Sequence, residues 1–255
     1  MRTVFYLKTG AIFFSMAVFA IGIIHLVIGG FPAGLLPVPA SLPGKTPLVY
    51  LDGIALAGAG ALMMTKKYRK VGAMLAIIIL SLLLLVLHIP MLIGHIDDAN
   101  EWTGTFEVAS LLAGALTLMG VILQSDIALK NKDLGDKLAA IARYLLAIAF
   151  FVFGMLHFKY EKFIETLLPT WMPFITFWCY LVMVSFFALF VSFVTNKLVT
   201  LSSLLLSIMF FIWVLILHGP LVTTHLHVEP QWTSFFVALA MCAVGLLVYS
   251  SAKER

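Results

Sequence analysis

Eight stretches of this chain are apolar and long enough to cross the roughly 30 Å of hydrocarbon in a bilayer. Read between turn signals and charged breaks, they lie near 9–30, 47–64, 71–94, 103–124, 138–158, 173–194, 198–221 and 232–250. No other feature restricts the fold as much, because backbone in lipid must satisfy its own hydrogen bonds, and only helices or closed barrels do so. The alternating ten-residue segments of a membrane barrel are missing. The expectation is an all-α membrane protein of eight transmembrane helices. Composition agrees, with 62% hydrophobic and 11% charged residues, against about a quarter charged in soluble domains.

The few charges are unevenly placed. Arg2, Lys8, Lys66, Lys67, Arg69, Lys70, Lys130, Lys132, Lys137, Arg143, Lys197, Lys253 and Arg255 fall on the side shared by the N-terminus and the even-numbered loops. Only Lys45, Lys159 and Lys162 fall on the other. The positive-inside rule then puts both termini in the cytoplasm, and topology accounts for the net charge of +4 without a nucleic-acid partner. All seven histidines lie in the opposite, extracytoplasmic half. Cys179 and Cys242 sit inside spans with no CxxC spacing, which reads as buried thiols and not a disulfide.

The chain repeats itself. GIIHLVIGGFPAGLLP (22–37) aligns without gaps to GMLHFKYEKFIETLLP (154–169), and LHIPMLIGHIDDANEWT (87–103) to LHGPLVTTHLHVEPQWT (217–233). The pairs His25/His157, His88/His218, His95/His225 and Trp102/Trp232 follow. The expectation is a first four-helix repeat over 1–124, a cytoplasmic linker over 125–137 and a second repeat over 138–255. An even number of spans per unit makes them parallel repeats, related by an axis along the membrane normal. The first span has a counterpart deep in the chain, so it reads as a structural helix and not a cleaved leader.

Each span of the first repeat offers one ionisable group near its outer end: His25, Asp52, His88 and Glu107. At 1.5 Å per residue all four fall roughly 6–9 Å below the outer boundary. Two imidazoles and two carboxylates facing across a bundle suit a metal such as zinc, iron or manganese. They also suit a quinone head group exchanging protons with them. The second repeat keeps His157 and His218 without matching carboxylates, a set that bis-histidine haem ligation would use. The opposing reading is an interhelical hydrogen-bond network with no ligand. His95, Trp102, His225 and Trp232 read as rim residues, the tryptophans in the interfacial belt with Trp171, and His227 belongs with them. TKKYRK (65–70) reads as a topology anchor.

HFKYEKFIETLLPTWMP (157–173) followed by LHGPLVTTHLHVEPQWTSFFVALA (217–240) resembles the DoxX-like membrane proteins. That family shows a Gly-x-x-His-Phe start, a Pro-x-Trp-x-Pro loop, a helix ending in His-x-Pro and a Glu-Trp-Thr opening to its last helix. The first copy lacks the loop tryptophan, and QWT replaces Glu-Trp-Thr in the second. The resemblance implies a tandem of two four-helix units in a prokaryotic cytoplasmic membrane, with a link to redox chemistry and quinone. A non-catalytic partner subunit of another redox complex, a binder or carrier of a small lipophilic molecule, and a homo-oligomer all remain open at this point. No P-loop is present to drive active transport.

Overall fold

The computed structural model describes residues 2–33, 35–36, 44–125 and 131–253, and these are helical with no strand. The helices are α1 (Arg2–Ile28), α2 (Lys45–Met64), α3 (Arg69–Leu82), α4 (Ile89–Gly94), α5 (Ala99–Ser125) and α6 (Lys132–Lys159). After them come α7 (Glu161–Leu167), α8 (Ile175–Thr195), α9 (Val199–Trp213), α10 (Gly219–Thr224) and α11 (Glu229–Lys253). A π-turn joins α3 to α4 over Leu83–His88, and another joins α9 to α10 over Val214–His218. Each joined pair counts as one crossing, so among the described residues eight segments have the length and hydropathy of membrane spans.

Packing centres on α5 and α11. They touch each other, and α5 also lies against α3 and α6 while α11 lies against α1 and α9. Their apolar windows are 83% and 78% buried, against 22% for Arg69–Gly94 and 28% for Ile175–Thr195. Both are apolar nearly all round and rich in Gly, Ala and Ser, which suits a helix enclosed on every side. The two halves of the chain are therefore joined through their interiors: α1 packs on α11 and α5 on α6. The peripheral helices expose large apolar residues such as Leu51, Ile54, Leu85, Val86, Leu201 and Leu215. In water so much exposed apolar surface would drive association; in a multi-pass membrane protein it faces lipid. The Phe-rich stretch divides by helix face, with Phe150 buried against Phe186 and Phe193 and Phe151 exposed.

The expected linker is shorter than its sequence suggests. Residues 132–137 form the first turns of α6, and 126–130 lie outside the described residues. Gln124 donates to Asp136 at 2.8 Å. A side chain at Gly120 would stand 2.9 Å from the Gly135 carbonyl oxygen. Close backbone contact thus carries the α5–α6 pair beyond its apolar stretches. At the far end of α6, Lys162 bridges Glu161 and Glu165 within α7, and Tyr180 and Thr176 of α8 donate to the same two carboxylates. The Glu165 carboxyl, held by the Thr176 hydroxyl first and by Lys162 next, lies below its ordinary pKa.

The α1–α2 contact positions the site. A Cβ at Gly22 would lie 2.3 Å from the Ala57 nitrogen, and one at Gly60 would lie 2.5 Å from the Phe19 nitrogen. The two backbones touch, as small residues at helix spacing allow. That closeness brings Asp52 on α2 to His25 on α1.

Candidate functional site

His25 is fully buried, and its Nδ1 lies 2.8 Å from the Ile21 carbonyl oxygen one turn back. A carbonyl only accepts, so Nδ1 carries a proton. The other nitrogen, Nε2, lies 3.1 Å from Asp52 Oδ2. The pair is an imidazole–carboxyl contact between two buried atoms. The Asp52 side chain is 9% exposed, which makes it the only outlet of the two toward the surroundings. Phe31 closes over the imidazole edge-on, its centroid 5.7 Å away. Of the four groups expected at a common depth, His25 and Asp52 meet.

Beneath the pair the chain folds into its own bundle. Leu35 and Leu36, each 2% exposed, insert among Val18, Ile21, Leu83 and Leu111. The remaining space is about 10 Å³, the size of one water molecule. The Leu-Leu-Pro motif has a counterpart in the second half, but there Leu167 is 52% exposed. The aligned residues 35–36 and 167–168 therefore do different things.

His88 ends the first π-turn. The Ile89 N–H reaches back five residues to the Leu84 carbonyl, and the Gly219 N–H does the same to Val214. The next residue in each case, Pro90 or Pro220, has no N–H to give to the carbonyl thus passed over. Such wide turns commonly occur at functional positions, and this one turns the His88 ring inward, where it is 2% exposed. Gly104 on α5 makes room: a Cβ there would stand 3.5 Å from His88 Cε1. His88 Nε2, Glu101 Oε2 and Thr105 Oγ1 are all buried without a hydrogen-bond partner among the described residues. The latter two belong to α5 within one turn of Gly104.

Two expectations change here. Glu107 is half-buried by accessible surface, and the carboxylate of α5 with least exposure is Glu101, in the Glu-Trp-Thr motif itself. The set His25, Asp52, His88 and Glu107 is also not assembled as a metal centre. Among the described residues no three His, Cys, Asp or Glu side chains are gathered to hold an ion, and both ring nitrogens of His25 are already engaged. The reason is geometric: equal depth along four helices does not set their rotation, and Glu107 is turned differently from Glu101.

In the second half His157 repeats the anchoring of His25, with Nδ1 2.9 Å from the Phe153 carbonyl oxygen. Its ring meets Phe186 at 5.2 Å, not a carboxylate. His218 is partly buried and its Nδ1 lacks a partner. The rim residues match closely: His95 Nδ1 contacts the Met91 carbonyl and His225 Nδ1 the Leu221 carbonyl. Trp102 donates to Ile96 O at 2.7 Å and Trp232 to Leu226 O at 2.9 Å, and both indoles stack on a phenylalanine one turn on. These tryptophans close the α4–α5 and α10–α11 loops from within, in addition to any belt position. Trp102→Phe keeps the stack and loses the bond, so a cost of about 1 kcal/mol is expected, read by unfolding in detergent micelles. Trp171, His95, His225 and His227 are exposed, and Cys179 and Cys242 are buried and free.

Compared with known proteins, the chain matches no family model, no curated protein and no solved structure.

Proposed function

We propose that the protein is a redox-linked membrane protein of DoxX-like type, whose His25–Asp52 pair exchanges a proton with a quinone-class head group at the extracytoplasmic face of a prokaryotic inner membrane. The observation that carries this reading is the fully buried imidazole of His25 lying 3.1 Å from a carboxyl that is only 9% exposed. Ionisable groups inside a membrane are costly and usually functional. A bound quinone would supply the electron chemistry. The chain's part is to fix His25 through Ile21, to leave Nε2 basic, and to take or return a proton through Asp52. His88, buried with its Nε2 unpartnered among the described residues, offers a second polar contact, and His157 and His218 mark the corresponding place in the other half.

The reading includes two parallel four-helix repeats with both termini cytoplasmic. It is supported by the matched π-turns, histidine contacts and tryptophan bonds 130 residues apart, and by the one-sided lysines and arginines. Single cysteines in a cysteine-free background test the orientation. A cysteine at Asp98 should react with an impermeant reagent in intact cells, and one at Lys67 only after permeabilisation. The reverse pattern overturns the orientation.

The tight interior beneath His25 supports a second reading, a non-catalytic partner subunit of a redox complex. Absorption, elemental analysis and organic extraction on one preparation separate the two. About one quinone per chain supports the first. A quinone-free chain that co-purifies with a second subunit supports the other.

A further inference from the structure

We propose that a second site, at the lysine- and arginine-rich end of the molecule, binds a phosphate group, and that Arg143 is its anchor. Arg143 is 8% exposed and lies on α6, well inside the chain's fifth span. A buried guanidinium is costly without a counter-charge, yet no carboxylate among the described residues pairs with it. Its Nη1 donates to Asn196 Oδ1, its Nε is buried with no partner, and the Tyr144 ring lies 5.1 Å away. All these contacts are to neutral groups.

The arginine lines a cavity of about 240 Å³. Thr117, Thr200, Ser251 and Asn196 give that wall its polar part, and Val199 and Thr200 are the first residues of α9. The first-turn N–H groups of a helix have no acceptor within it and carry the positive end of its dipole. The hairpin turn that presents them holds Asn196 and Leu198 in the left-handed region, at φ 57° and 56°. A guanidinium without a counter-charge, a helix N-terminus with no side-chain cap and hydroxyls around one cavity form an anion site, and the guanidinium fork suits phosphate oxygens. Ala139, Val248 and Ala252 make the rest of the wall apolar. Basic pockets between helices on this side of a membrane take lipid headgroups, so a phospholipid phosphodiester and free phosphate are the two sources of the same chemistry.

The test uses full-length protein, delipidated in neutral detergent and analysed by native mass spectrometry with phosphatidylglycerol and, separately, by thermal shift with inorganic phosphate. One phosphatidylglycerol per chain, bound at least about tenfold more weakly by Arg143→Gln and less affected by Arg143→Lys, assigns the site to lipid. Saturable stabilisation by phosphate alone, lost in Arg143→Gln, assigns it to the free anion. Ala252→Phe narrows the cavity with Arg143 untouched, and should weaken the same binding even if Arg143→Gln fails to fold. Binding of neither probe, or equal binding by wild type and Ala252→Phe, overturns the proposal.

Discussion

Gly22→Val is expected to cost about 3 kcal/mol or more and to separate His25 from Asp52. Even a single methyl at Gly22 would lie 2.3 Å from the Ala57 nitrogen and 2.7 Å from the Gly53 oxygen. Backbone atoms cannot swing aside as a side chain would, so α1 and α2 must move apart along their length. Overpacking of this kind commonly costs a few kcal/mol. Gly58 on α2 supplies the control, because a Cβ there meets nothing within 4 Å. Gly58→Val should stay near neutral apart from its helix propensity. Equilibrium unfolding in mixed micelles reads both. Similar stability for the two variants would show that the α1–α2 contact is not what holds the site.

Asp52→Leu is expected to destabilise the fold by about 2 kcal/mol, since it leaves His25 Nε2 buried with no partner. His25→Phe alone should cost a comparable amount, with Asp52 losing the only contact shown for its Oδ2. The double variant should recover part of the sum, because replacing both partners by apolar groups removes the desolvation penalty along with the contact. Coupling energies of polar pairs inside membrane proteins average well below 2 kcal/mol, so a recovery of about 1 kcal/mol is the expected size. Strictly additive losses would mean that the 3.1 Å approach carries no interaction.

Much of this architecture was legible in the chain before its fold was described. The eight spans follow from length and hydropathy, since lipid leaves a backbone few options. Helix rise converts residue position into depth, which placed His25 and Asp52 at one level without naming them as a pair. Depth says nothing about rotation, however, and Glu101, the carboxylate of α5 with least exposure, was not among the four. The signal was present in the Glu-Trp-Thr opening of the fourth span, where Glu101 precedes the rim tryptophan. The π-turns were harder to find. Pro90 and Pro220 announce a disturbed helix, but whether it kinks, ends or widens depends on packing around His88 and His218. Arg143 was counted among topology-setting cations, a statistical reading that fits any basic residue near that face. Its burial and its neutral partners come from the α8–α9 hairpin, whose left-handed turn leaves no periodic trace in sequence. The insertion of Leu35 and Leu36 was likewise hidden, because the aligned Leu167 lies on the surface.

The measurement that bears most directly on the central claim is the quinone content of Asp52→Asn against wild type, both extracted from native membranes under identical gentle conditions. Asparagine keeps the size and a hydrogen-bonding group at position 52 but cannot exchange a proton. The account predicts about one quinone per wild-type chain and at least a fivefold drop in the variant, on the order of 1 kcal/mol of lost binding, with the helical content unchanged. Equal quinone content in the two proteins, or none in either, would contradict a proton-exchanging site at His25 and Asp52.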